Sequence, residues 1–209
     1  MYTPAHFAVD DETAAAFLAQ VEAGDLVTAT EEGLASTFLP LLYDAEAGER
    51  GALLCHVARL NDQWKRPVLG EALVILHGQD AYISPGWYAT KREHGRVVPT
   101  WNYTTAHVYG ELVVHDDVEW VDGIVRRLTS RQENGREHPW MVDDAPPEFH
   151  AGQLRAIVGL ELLVSRVEVK FKMSQNQPDE NVDGVVAGLT GEGREDVAAT
   201  VQRLRRARD

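Results

Sequence analysis

Strand-like segments punctuated by turn clusters dominate the first half of the chain. Segments 25–30, 34–44, 51–59 and 71–84 read as strands, separated by Gly, Asp and Glu clusters that favour turns. Residues 100–115 form a fifth strand region, rich in Thr, Tyr, Trp and Val. Val167, Val169, Phe171 and Met173 alternate with Glu168, Lys170 and Lys172, the pattern of a half-buried strand. Helical spacing frames this β region. Asp10 or Asp11 caps a first helix whose face is Phe17, Leu18 and Val21, with Gly24 at its C′ position. Asp116 or Asp117 caps another, striped by Trp120 or Val121, Ile124, Val125 and Leu128. Its Arg126, Arg127 and Arg131 lie toward the C-terminal end, as the helix dipole favours. Segment 133–147, with Pro139, Pro146 and Pro147, reads as a surface loop, and 148–157 as a short helix. Val182, Val185, Val186 and Leu189 predict a helix from about Pro178. Val197, Val201 and Leu204 predict a last one, ending in Arg203, Arg205, Arg206 and Arg208. Consecutive strands with short connections favour an antiparallel sheet or barrel over repeated βαβ units. The fold class is therefore mainly β with flanking helices (α+β). A single domain over 1–209, with a helical C-terminal extension from about 178, is the simplest organisation.

Composition narrows the function. The 209 residues are 44% apolar and 25% charged, which excludes disordered, collagen-like and coiled-coil chains. Twenty Lys and Arg against 33 Asp and Glu give a formal charge of −13. Such a surface repels nucleic acid and anionic membranes at long range. Cys55 is the only cysteine, so no intrachain disulfide and no cysteine-based metal cluster can form. A reducing, cytoplasmic setting is expected. The start lacks a basic, apolar leader pattern, and no apolar stretch approaches the roughly 20 residues of a membrane span. Phosphate-binding Gly-x-x-x-x-Gly-Lys-Ser/Thr and Gly-x-Gly-x-x-Gly loops, His-Glu-x-x-His and Gly-x-Ser-x-Gly are all absent. The eight histidines are scattered, and His107 and His115 match no standard metal pair.

Two stretches are chemically dense. In 53–66, alternation sends Leu54, His56 and Ala58 to one face and Cys55, Val57 and Arg59 to the other. The run leaves the sheet near Asn61. A strand end with His, Arg, Asn and Lys offers several donors to a phosphate, with Arg as a bidentate clamp. The plainer reading is a solvated turn after a core strand. The second stretch, 82–92 closed by 98–103, sets Trp87, Trp101, Tyr82, Tyr88 and Tyr103 among Ser, Thr and Asn. Flat aromatics with a few hydrogen-bonding groups suit a planar ligand, or equally an aromatic mini-core with a subunit contact.

Six motifs in order carry a resemblance. They are Met1-Tyr2-Thr3-Pro4 with Phe7, Leu39-Pro40-Leu41-Leu42, His56-Val57-Ala58-Arg59-Leu60-Asn61-Asp62-Gln63-Trp64, Tyr82-Ile83-Ser84-Pro85-Gly86-Trp87-Tyr88, Val98-Pro99-Thr100-Trp101-Asn102-Tyr103 and Lys172-Met173-Ser174-Gln175-Asn176. Together they resemble the PaiB family of FMN-binding negative transcriptional regulators, from Met1 to about Leu189. Departures are Cys55 where the family often has Gly, Gly86 where it often has Ser, and Gln177 where it often has Arg. The resemblance implies an antiparallel FMN-binding split barrel, similar to the pyridoxamine-phosphate-oxidase fold, and a homodimer with flavin at the subunit interface. By similarity, Ser36 and Thr37, with His56, Arg59 and Asn61, face the ribityl phosphate, and Arg59 is its main anchor. Trp64, Ser84, Trp87, Trp101 and Asn102 line the flavin pocket, while Lys172, Ser174 and Gln175 come from the partner subunit. DNA enters as a partner through the resemblance alone. The charge of −13 and the lack of a helix-turn-helix pattern oppose direct contact, and Arg203–Arg208 reads as a solvated helix end. The alternative is an FMN-dependent oxidoreductase or flavin reductase acting on a small molecule, since bound flavin carries the redox chemistry.

Overall fold

The computed structural model describes residues 1–206, the side chain of Arg206 excepted. Of the expected terminal arginines, Arg208 lies outside the described residues. The chain divides into two compact units. The first comprises Met1–Ala14, His77–Ala106 and Val169–Asp209, and the second Ala15–Leu76 and His107–Glu168. The strands are β1 (Ala23–Thr30), β2 (Gly33–Pro40), β3 (Leu42–Asp44), β4 (Ala52–Ala58), β5 (Ala72–Ile83), β6 (Thr100–His115) and β7 (Ile157–Lys172). They form one sheet in the order β2-β1-β5-β6-β7-β4-β3. The pairs β1–β2, β1–β5, β3–β4 and β4–β7 are antiparallel, with Ala23 opposite Pro40 and His56 opposite Gly159. The helices are α1 (Asp11–Gln20), α2 (Lys91–His94), α3 (Val118–Glu133), α4 (Pro147–Arg155), α5 (Asp179–Gly191) and α6 (Glu195–Arg206). The expected mainly-β α+β class is borne out.

In the second unit α3 follows the expected stripe. Asp117 is the N-cap, its carboxylate accepting the Trp120 N–H at 2.8 Å. Val121, Ile124 and Leu128 are the buried positions, three and four residues apart. Ile124 and Leu128 pack on Ala52 and Leu54 of β4. Trp120 lies over Gly159, where a Cβ would overlap its ring.

The first unit is centred on Ile83, Tyr88, Met173, Val182, Val185, Leu189, Val197 and Val201. Trp87 packs against this core. It does so on the glycine face of α5: a Cβ at Gly184 would overlap the Trp87 carbonyl, and one at Gly188 its indole. α5 starts at Asp179, directly after Pro178 as its periodicity predicts.

Four boundaries differ from expectation. Gly24 belongs to β1 and is not a helix C′ residue; a Cβ there would meet Leu76 and the Ile75 carbonyl, so close strand packing explains the glycine. Segment 34–44 is two strands, because buried Leu41 turns its N–H to the Glu22 carbonyl at 2.8 Å. The loop 133–147 contains a short 3₁₀ turn at Val142–Asp144. β7 extends back to Ile157 through 157–164, which is largely buried and so carries no alternation.

Candidate functional site

In the second unit, most of the expected phosphate-facing residues bond to the chain itself. Asn61 caps the 3₁₀ turn Asp62–Lys65, accepting the Gln63 N–H at 2.9 Å. Its amide donates to Thr37 Oγ1 at 3.0 Å, and Thr37 donates to Gln63 Oε1 at 2.5 Å. Gln63 Nε2 reaches the Leu26 carbonyl at 3.1 Å and Thr28 Oγ1 at 3.0 Å. Thr37, Asn61 and Gln63 thus tie the β1–β2 hairpin to the segment after β4. Gln63 is the residue sequence reasoning passed over; its only signal was its place inside the 56–64 motif.

Arg59 is similarly committed. Its guanidinium donates to both Asp116 oxygens, one at 3.1 Å, and to the carbonyls of Arg155 at 2.8 Å and Ile157 at 3.1 Å. The hydrogen bond to Asp116 raises the guanidinium's proton affinity and lowers that of the carboxyl. Trp64 Nε1 donates to the Arg59 carbonyl at 3.1 Å. Ser36 is exposed on β2. His56 is half-buried on β4, and its Nδ1 has no hydrogen-bond partner among the described residues. Burial lowers its pKa.

The first unit holds the other candidates. Ser84 caps the 3₁₀ turn Pro85–Trp87, accepting the Gly86 N–H at 3.1 Å. Trp101 is 54% exposed and meets Tyr82 edge-on, with ring centroids 6.0 Å apart. Asn102 and Ser174 are buried and face each other at 3.0 Å. Ser174 has φ 67°, a left-handed conformation uncommon outside glycine, so its hydroxyl is held there by the surroundings. Gln175 closes the turn after β7, accepting the Met173 N–H at 2.6 Å and donating to the Phe171 carbonyl at 2.5 Å. Lys172 Nζ donates to the Trp101 carbonyl at 2.7 Å and to Thr100 Oγ1, both neutral acceptors. Burial lowers its pKa.

Asn102, Lys172 and Ser174 come together at a cavity of about 390 Å³, which also takes Thr100, His94 and Arg96. His94 and Arg96 were absent from the expected set. The basic run Lys91-Arg92 to Arg96 was their signal in the sequence. Among the described residues, no aspartate or glutamate lines this cavity.

The family model "Putative FMN-binding domain" matches residues 1–166. The protease synthase and sporulation protein PAI 2 of Bacillus subtilis is 30% identical over 194 residues, 92% of this chain and 90% of that protein. The chain belongs to the PaiB-like family of FMN-binding-domain proteins. An uncharacterized protein of Emericella nidulans is 30% identical over 190 residues, covering 76% of each. In fold, this PaiB-like chain is similar to the flavocytochrome Anf3 of Azotobacter vinelandii. The TM-score is 0.58 at 14% identity, over 78% of this chain and 67% of that one. The FAD and heme binding protein of Mycobacterium smegmatis follows, with a TM-score of 0.56 at 14% identity over 86% and 78%. The split-barrel class expected from the motifs is borne out. The first-unit cavity fits such a family's ligand chemically. It pairs a cation free of carboxylates with hydroxyl and amide groups, and an exposed indole adjoins Asn102 in sequence.

Proposed function

We propose that this chain binds FMN and works as a PaiB-type regulatory flavoprotein, as a cytoplasmic homodimer. One observation carries the reading beyond family membership: Asn102, Lys172 and Ser174 converge on a single cavity without carboxylates in a chain of net charge −13. Bound FMN supplies hydride and electron transfer. The protein's part is binding and orientation. Lys172 offers a cation to an anionic group, Asn102 and Ser174 offer hydrogen bonds to hydroxyls, and Trp101 offers an open ring face.

Regulation then runs through a small molecule or a protein partner, because phosphate contacts supply most DNA affinity and this chain's field opposes them. The acidity equally favours the second reading, an FMN-dependent oxidoreductase or flavin reductase. Titration with FMN should quench flavin fluorescence with one equivalent per chain, and light scattering should give about twice 23.2 kDa. No quenching at micromolar FMN sinks the reading. Tight, sequence-selective DNA shifts by the pure protein would replace indirect regulation with direct repression. Rapid flavin bleaching by NADH or NADPH would favour the oxidoreductase.

A further inference from the structure

Resting on the FMN reading, we infer that Lys172 and Arg96 hold the flavin's phosphate in the first-unit cavity, with His94 as an added donor, and that Arg59 does not. A phosphate monoester carries close to two negative charges at neutral pH. An acidic protein can hold it only where cations converge that its own carboxylates have not already neutralised.

Three cavities among the described residues that contain arginine or lysine differ on this point. The cavity of about 270 Å³ at Arg59 is lined by Arg59 and Arg155, but also by Asp116 and Asp117. There the Arg59 guanidinium is already spread over Asp116 and two carbonyls. The cavity of about 510 Å³ beside Trp64 includes Lys65, Arg66 and Glu111. Lys65 is paired with Asp62 at 2.8 Å and Arg66 with Glu32 at 3.3 Å. Of these three, the one in the first unit presents cations without carboxylates among the described residues.

Lys172 has two neutral acceptors and makes no ion pair among the described residues. Arg96 makes no side-chain ion pair among the described residues, although its backbone is fixed. Its N–H donates to His94 Nδ1 at 3.0 Å. That bond leaves the neutral imidazole's proton on Nε2, as a donor. Gly95, at φ 69°, ends α2 and turns the chain between His94 and Arg96. Thr100, Asn102, Ser174 and Asn176 complete a rim of hydroxyl and amide groups. This is a donor-rich, carboxylate-free pocket for a phosphate monoester.

The test titrates full-length wild type, Arg96→Ala, Lys172→Met and Arg59→Ala with FMN and with riboflavin, which lacks the phosphate. Arg96→Ala should weaken FMN about ten- to hundredfold, the loss expected for a charge-assisted contact, and leave riboflavin unchanged. Lys172→Met should do the same. Arg59→Ala should leave the FMN-to-riboflavin ratio at the wild-type value. An unchanged ratio in Arg96→Ala, or a ratio that falls only in Arg59→Ala, overturns the inference. If wild type binds neither flavin, the FMN reading fails by itself. Inorganic phosphate then decides the cavity. A melting-temperature rise in phosphate over chloride at matched ionic strength, lost in Arg96→Ala, supports it, and no rise in wild type overturns it.

Discussion

Gln63→Leu separates an internal role of the 56–64 motif from a ligand role. Leucine keeps the bulk and removes the amide. The wild-type side chain is 4% exposed. It donates to the Leu26 and Ala35 carbonyls and to Thr28, and it accepts from Thr37. Its NH₂ has two protons for three acceptors, so about three bonds are effective at once. At about 0.5–1.5 kcal/mol each, they contribute roughly 3 kcal/mol. The Thr28 hydroxyl, 0% exposed, loses its Gln63 partner. That adds about 1–3 kcal/mol, while the new apolar side chain recovers about 1.5–3 kcal/mol. The net loss is about 3 kcal/mol, or roughly 6–12 °C in melting temperature for a chain of this length. Calorimetry of the unliganded protein, with urea unfolding alongside, measures it. Flavin affinity below the melting transition should stay near wild type. A melting temperature within about 2 °C of wild type, together with lost flavin affinity, would show that Gln63 serves the ligand and that the network is incidental.

Two further outcomes follow from the packing and the charges. Stability should fall on acidification in two stages. His56 titrates below its ordinary 6.5 because it is buried, so the unfolded chain takes that proton first as pH drops through 6.5. Hydrogen-bonded Asp10, Asp44 and Asp116 lie below 3.8 and Glu71 below 4.5, so their contribution is full above those values and lost beneath them. Melting temperatures measured from pH 8 to 3 that rise anywhere below 6.5 would contradict this. Gly184→Ala should cost at least about 1–3 kcal/mol and change tryptophan emission, since the methyl group overlaps the Trp87 carbonyl. Gly191→Ala, with open space around its Cβ, should be neutral or slightly stabilising; equal losses in the two variants would refute the packing account of Trp87.

The elements were legible where one face is buried and the other wet. Asp117, Val121, Ile124 and Leu128 announce α3 by spacing alone. β7 was half legible. Its outer part alternates, while 157–164 is mostly buried and gives no period to read. The site was less legible, for a physical reason. A polar side chain in a motif needs a partner, and the sequence does not say whether that partner is ligand or chain. Thr37 finds Gln63 and Asn61 at separations of 26 and 24 residues, and Arg59 finds Asp116 at 57. Each looked like an open donor because its acceptor lies far along the chain. The converse holds for Arg96. Its charge was visible in the sequence, but its lack of an ion pair among the described residues is a property of space.

That lack links ligand binding to stability. Burial disfavours the Lys172 ammonium, Tyr103 offsets part of this, and Lys170 adds like-charge repulsion, leaving the pKa lowered. With no carboxylate paired to it among the described residues, a charged Lys172 weakens the unliganded fold. Its proton affinity is lower folded than unfolded, so the penalty is present at neutral pH and fades as pH rises toward the lysine range. On the phosphate assignment, FMN supplies the missing anion and removes the penalty. Lys172→Met should therefore melt at or above the wild-type temperature without ligand. It should also lose most of the FMN-dependent rise, which for wild type is about 2.7 kcal/mol at one hundred times Kd. Differential scanning calorimetry with and without FMN reads both quantities from one pair of samples. A variant that melts lower than wild type without ligand, yet keeps the full FMN-dependent rise, would show that Lys172 is a packing residue whose charge the protein tolerates for no ligand's sake.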